Sequence, residues 1–147
     1  MVTGRLHTRE DSGLRIDREG RWFHDGEEVD HPKIVAAWNR GIERSPEGRY
    51  LLRFGNDWCF IEVEDAPLQV RTAQPGADEV RVSFSSGLEE ALRPATLSVK
   101  GEALYCESSG GLPARFSRSA QAALSELVEE DGEGYALRIG SVRVPLR

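Results

Sequence analysis

Tyr50-Leu51-Leu52-Arg53-Phe54-Gly55 returns later in the chain as Tyr135-Ala136-Leu137-Arg138-Ile139-Gly140. Tyrosine, arginine and glycine recur at the same spacing, and the positions between them are apolar in both runs. Each run reads as a strand closed by a glycine turn. The flanks agree. Glu47-Gly48 lies just upstream of the first run and Glu133-Gly134 of the second, while Trp38 and Ile42 answer to Leu124 and Val128. Further upstream, Ile16, Gly20 and Phe23 share their mutual spacing with Leu97, Gly101 and Leu104.

The pattern predicts a unit of strand–strand–helix–strand–strand, used twice because neither copy buries its apolar face alone. In the first copy, residues 14–16 and 22–24 read as strands. Asp30 is placed to cap a helix, Pro32 suits its first turn, and Ile34, Val35, Trp38 and Ile42 recur at helical spacing. Pro46-Glu47-Gly48 stops it. Residues 50–54 and 58–63 then form a hairpin about Gly55-Asn56-Asp57. In the second copy, residues 96–100, 103–107 and 114–116 are strands, and Ser108-Ser109-Gly110-Gly111 is a loop. Ser117 caps a helix with the apolar stripe Ala120, Ala123, Leu124, Leu127 and Val128, ended by Gly132. A hairpin over 135–139 and 142–146 closes the chain. Between the copies, residues 69–73 and 80–84 read as strands joined through Pro75-Gly76. The expected fold is α+β, two packed halves of mostly antiparallel sheet. Residues 1–12 are expected to be a frayed segment, 13–73 the first half and 74–147 the second.

A chain of 147 residues suits a compact fold without disulfide or metal staples. A net charge of -6 argues against duplex nucleic acid as a partner. No apolar stretch approaches the roughly 20 residues of a membrane span, and Met1-Val2-Thr3-Gly4-Arg5 lacks the apolar core of a signal peptide. Cys59 and Cys106 sit in apolar surroundings and read as reduced core thiols. A cytoplasmic location is the expectation.

Ile16-Asp17-Arg18-Glu19-Gly20-Arg21-Trp22-Phe23-His24-Asp25-Gly26 resembles the opening of a bacterial family of uncharacterised proteins, domain of unknown function twelve-eighty-five. Ile61-Glu62-Val63-Glu64-Asp65-Ala66-Pro67 is similar to that family's most distinctive segment, and Leu112-Pro113-Ala114-Arg115-Phe116-Ser117-Arg118 to its late strand-to-helix junction. Gly55-Asn56-Asp57-Trp58 departs from the family pattern, which often carries a threonine–proline turn and a lysine there. The resemblance implies two small α+β halves with repeated motifs and a cleft between them, a nucleotide-like small ligand and a signalling role. It implies no enzymatic activity.

Candidate binding residues follow. Glu64 and Asp65 put two carboxylates at a strand end, able to accept from a ligand hydroxyl, although a capped turn before Pro67 is the plainer reading. Arg53 and Arg138 occupy equivalent repeat positions. Arg115 and Arg118 flank the second helix start, where a guanidinium and free amides can hold an anion; solvated surface pairs are the alternative. Trp58 lies in an alternating strand with charged neighbours and can stack a base, or pack at a rim; Trp38 reads as core. His24 and His31 bracket several acids but match no zinc spacing, so no metal or cofactor is expected. No nucleophile has a recognisable base, and no catalytic residue is assigned. The expectation is a small-ligand-binding or sensor module taking a nucleotide-like anion through Arg53, Trp58, Glu64, Asp65, Arg115 and Arg118. The alternative is a protein-interaction module using the acidic surface, including Glu129-Glu130-Asp131. An enzyme is the weaker alternative.

Overall fold

The computed structural model describes residues 7–147. Two compact units meet in sequence between Pro67 and Leu68. Both carry mainly antiparallel sheet with one short helix each, an α+β composition dominated by strands. No helix among the described residues is long and apolar enough to cross a membrane.

The first unit opens with β1 (Leu14–Ile16), β2 (Trp22–His24) and β3 (Glu27–Val29). They form an antiparallel meander, and β7 (Glu62–Val63) adds to β1 in parallel. The β2–β3 turn is Asp25-Gly26, with φ of 50° and 86°. Two left-handed residues match the twist of a tight hairpin, and aspartate and glycine tolerate that region best. After β3 comes α1 (Pro32–Arg40). Its N-cap is His31, without a side-chain capping bond, rather than the expected Asp30. Three strands follow in order, β4 (Ile42–Arg44), β5 (Tyr50–Phe54) and β6 (Asp57–Phe60), as a second meander.

Two expectations for this unit are corrected. Ile42 is not on the helix. Gly41 ends α1 by donating to Trp38 O, its own carbonyl accepts from Arg53 N at 2.8 Å, and Ile42 pairs with Leu52 in the β4–β5 ladder. The close approach of Gly41 to the Arg53 carbonyl leaves no room for a side chain and turns the backbone into the sheet. The expected strand over 58–63 is split. Asp57–Phe60 pairs with β5, and Glu62–Val63 leaves to join β1. Helix α1 also buries less than its periodicity implies. Ile34 is exposed, Val35 and Trp38 are half-buried, and the one buried residue is Asn39. The core of the unit is Ile16, Trp22, Leu51, Leu52 and Ile61 instead.

The second unit holds β8 (Leu68–Pro75), β9 (Val80–Phe84), β10 (Glu89–Ala91), β11 (Ser98–Lys100), β12 (Ala103–Glu107) and β13 (Pro113–Phe116). They form a six-stranded sheet in the order β10-β9-β8-β13-β12-β11, with β13 parallel to β8. Strand alternation buries Ala114 and Phe116 and leaves Arg115 half-buried. Helix α2 covers only Arg118–Ala122; Ser117 caps it by accepting from Ala120 N. The helix expected to run to Gly132 instead gives way to a 3-10 turn at Ser125–Leu127 and then to β14 (Val128–Asp131). Strands β15 (Gly134–Ile139) and β16 (Val142–Leu146) complete a three-stranded meander. The physical reason lies in Glu129-Glu130-Asp131. Three acids at a helix C-terminus would face the negative end of its dipole. In β14, Glu129 accepts from both Arg138 and Arg143, and Asp131 lies 3.0 Å from Arg143. These pairs hold the Glu129 carboxyl below the usual carboxylate range.

Cys59 and Cys106 are both buried and unbonded, as expected of core thiols. Burial pushes the Cys106 thiol up to about 12.

Candidate functional site

The first unit contains a cavity of about 540 Å³. Leu14, Trp38, Phe54, Trp58 and Cys59 form its apolar walls, and His7, Arg9, Ser12, His24 and Asp57 bring polar groups to it. Its volume falls in the range of small-molecule sites, which combine apolar walls with a few convergent polar groups.

The segment before β1 builds one side of this cavity. Residues 1–6 of the segment expected to fray lie outside the described residues, but 7–12 are fastened to β6. Phe60 N donates to Arg9 O at 2.8 Å, and Ser12 Oγ donates to Phe60 O at 2.6 Å. Arg9 donates to Asp57 Oδ1 at 3.0 Å and lies 5.0 Å over the Trp58 ring. The Trp58 backbone N–H, and then Arg9, hold the Asp57 carboxyl below its ordinary value. Trp58 meets Phe60 edge-on at 5.1 Å, and Trp38 meets the buried Trp22 edge-on at 5.2 Å. Each of the two indoles is therefore packed against a further ring. Burial pushes the Cys59 thiol up, so it lines the cavity as a neutral group.

Beside the cavity, three potential ligand atoms converge. His7 Nε2 lies 2.8 Å from Asp25 Oδ2 and 3.2 Å from His24 Nε2, and His24 Nε2 lies 3.8 Å from Asp25 Oδ2. His24 is held by its pairing with Leu14 across β1–β2, and Asp25 N donates to Gly13 O at 2.9 Å. Asp25 also lines a second cavity of about 330 Å³ in the same unit.

Of the six ligand-binding residues expected from sequence, Trp58 alone lines the large cavity. Arg53 donates from Nε to Glu43 at 2.8 Å on the exposed face of β5. Glu64 accepts from the backbone N–H of Arg18 at 2.8 Å and lies 3.6 Å from its guanidinium, with Asp65 half-buried beside it. Arg115 and Arg118 belong to the second unit, in β13 and at the first position of the five-residue α2. Sequence reasoning paired His24 with His31; the structure pairs it with His7. His7 and Arg9 carry no periodic signal and sit in a stretch that reads as loose. Trp38 and Phe54 are apolar residues on regular elements, where core packing is the ordinary reading.

Residues 6–66 match the family described as "Domain of unknown function (DUF1285), N-terminal domain". Among solved structures, the chain resembles a DUF1285 family protein from Silicibacter pomeroyi DSS-3. Identity is 23%, the match covers 91% of this chain and 79% of that one, and the TM-score is 0.76. It also resembles a DUF1285 family protein from Shewanella baltica OS155, at 18% identity over 78% of this chain and 91% of that one, with a TM-score of 0.64. No curated protein matches the sequence. The first unit matches the N-terminal domain of DUF1285, a family of unknown function, and the likeness of fold to DUF1285 family proteins extends over 91% of the chain.

Proposed function

We propose that this protein is a small-ligand-binding sensor module whose ligand enters the cavity of the first unit and lays a flat or apolar body between Trp38 and Trp58. The observation that carries the reading is the cavity itself, about 540 Å³ with aromatic walls packed against further rings and polar groups in its lining. A nucleotide-like compound is one such ligand, its base on the tryptophans and its anionic part toward His7, Arg9 and His24. The site moves accordingly from the six residues chosen by sequence to a set that keeps only Trp58. The acidic surface loses weight as a docking face, because Glu129 and Asp131 are engaged by Arg138 and Arg143.

The repeat belongs to the same reading. Each unit carries a meander, a helix and a second meander. Tyr50 and Tyr135 both sit on the central strand of the second meander, and Ile42 pairs with Leu52 as Val128 pairs with Leu137. Arg53 holds Glu43 from that strand, and Arg138 holds Glu129. These matches favour a duplicated strand–strand–strand–helix–strand–strand–strand unit, one strand longer on each side of the helix than the sequence pattern implies. On this account the equivalent arginines are structural pairs rather than ligand groups.

A thermal-shift screen against nucleotides and phosphorylated or carboxylated metabolites tests the function. A ligand at a hundredfold its Kd adds about 2.7 kcal/mol, a rise of several degrees in Tm for a chain of this size. The shift should vanish in Trp58→Ala and persist in the double variant Arg115→Ala/Arg118→Ala. Loss in the double variant with retention in Trp58→Ala would move the ligand to the start of α2. No shift from any compound would remove the sensor reading.

A further inference from the structure

We propose that His7, His24 and Asp25 form a binding site for a divalent transition-metal ion of the zinc class. In a tetrahedral shell with bonds of about 2.0–2.1 Å, neighbouring donor atoms lie about 3.3–3.4 Å apart. The three separations here, 2.8, 3.2 and 3.8 Å, bracket that edge. Two imidazole nitrogens and one carboxylate oxygen are the donors that zinc and its neighbours in the first transition row prefer; magnesium and calcium favour all-oxygen shells.

Hydrogen bonding alone serves this arrangement poorly. A ring nitrogen carries at most one proton. His7 Nε2 faces both the Asp25 carboxylate and the Nε2 of His24, and a single N–H would have to divide between them. A cation at the centre satisfies all three lone pairs together. The donors also come from fixed backbone. His24 ends a paired strand, Asp25 occupies the first left-handed position of a tight turn, and His7 leads the segment tied to Phe60.

His7 and His24 also line the large cavity, so the fourth coordination position is reachable from it. Three protein ligands with one open position is the pattern of a metal that takes a further ligand. Charge points the same way. In the cavity, Arg9 is paired with Asp57 at 3.0 Å, which leaves less of its charge for an anion. A dication on two neutral imidazoles and one carboxylate leaves one net positive charge beside the tryptophans. The metal would then hold a phosphate or carboxylate of the ligand, a step that rests on the sensor reading above; metal binding itself does not.

The test is calorimetric titration of the full chain with zinc(II), supported by the visible spectrum of cobalt(II) as a tetrahedral reporter. One ion per chain should bind, with magnesium(II) giving no heat. Asp25→Asn keeps the left-handed turn and should weaken zinc at least tenfold, as should His7→Ala. His31→Ala should bind as the unaltered chain does. Absence of zinc binding, or binding by Asp25→Asn and His7→Ala as tight as that of the unaltered chain, would overturn the site. Trp58→Ala separates the two ideas. It should keep the zinc affinity while losing the organic ligand. Zinc binding without any organic ligand would defeat the sensor reading alone, and an organic ligand bound equally with and without zinc would defeat the metal's part in holding it.

Discussion

The indole N–H of Trp22 donates to Oδ1 of Asn39 across 2.8 Å, and both side chains are buried. This bond ties β2 to α1, on the same helix whose Trp38 walls the cavity. Asn39→Ala should leave the Trp22 donor buried without a partner, at a cost of about 1–3 kcal/mol. Urea unfolding measures it. An unchanged midpoint would mean that another group or a water serves Trp22.

Gly41 packs against the carbonyl of Arg53 so closely that a Cβ would collide with its oxygen, which belongs to backbone and cannot swing away. Gly41→Ala should therefore cost about 1–3 kcal/mol or more by overpacking. Gly110, where a Cβ would meet only the Ser108 hydroxyl at 3.8 Å, is the control and should accept alanine with little loss. Equal stability of the two variants would contradict the close approach.

These two residues show why sequence reading succeeded for some elements and not for others. The strands over residues 14–16, 22–24, 50–54 and 80–84 were legible because short apolar runs were bounded by turn residues, and each appears with those limits. The ends of the helices were not. Ile42 and Val128 extend a helical stripe on paper, but an edge strand offers each a ladder of backbone bonds, and tertiary pairing prevails over local periodicity. At the site, Trp58 was legible as an aromatic among charged neighbours. His7 was not, because its place beside His24 depends on how residues 7–12 lie along β6, and no spacing in the sequence records that contact.

Asp17 is buried, and burial by itself would raise its carboxyl. The backbone N–H and guanidinium of Arg21, with the N–H of Glu19, outweigh burial and hold it below the ordinary 3.8. A group depressed in the folded state contributes stability that is present above its unfolded value and lost as pH falls through its folded value. The protein should lose stability from about pH 4 downward, and Asp17→Asn should show a shallower acid slope while being less stable at neutral pH. Parallel acid slopes for the two proteins, followed by chemical denaturation at stepped pH, would show that Asp17 is not linked to folding.

Cys106 gives the opposite sign. Burial first, and then Glu90, raise its thiol from 9.0 to about 12. The folded state keeps the proton longer than the unfolded chain, so this contribution is complete below about pH 9 and is lost between 9 and 12. Cys106→Ala should lose stability less steeply over that interval. A thiol reagent should label Cys106 only on unfolding; labelling of the native protein at neutral pH would contradict the burial that sets the shift.

The three tryptophans offer the most direct view of the proposed cavity, because each has a distinct part in the first unit. Trp38 and Trp58 line it, and Trp22 lies behind, bonded to Asn39. In a nitrogen-15 NMR spectrum of the full chain, each indole N–H gives one separate resonance. Nucleotides and phosphorylated or carboxylated metabolites would be added in turn, with and without zinc(II). At least one compound should shift the Trp38 and Trp58 indole signals together and leave that of Trp22 nearly unmoved. If no compound moves either signal, or if a bound compound perturbs only residues of the second unit, the cavity is not the binding site.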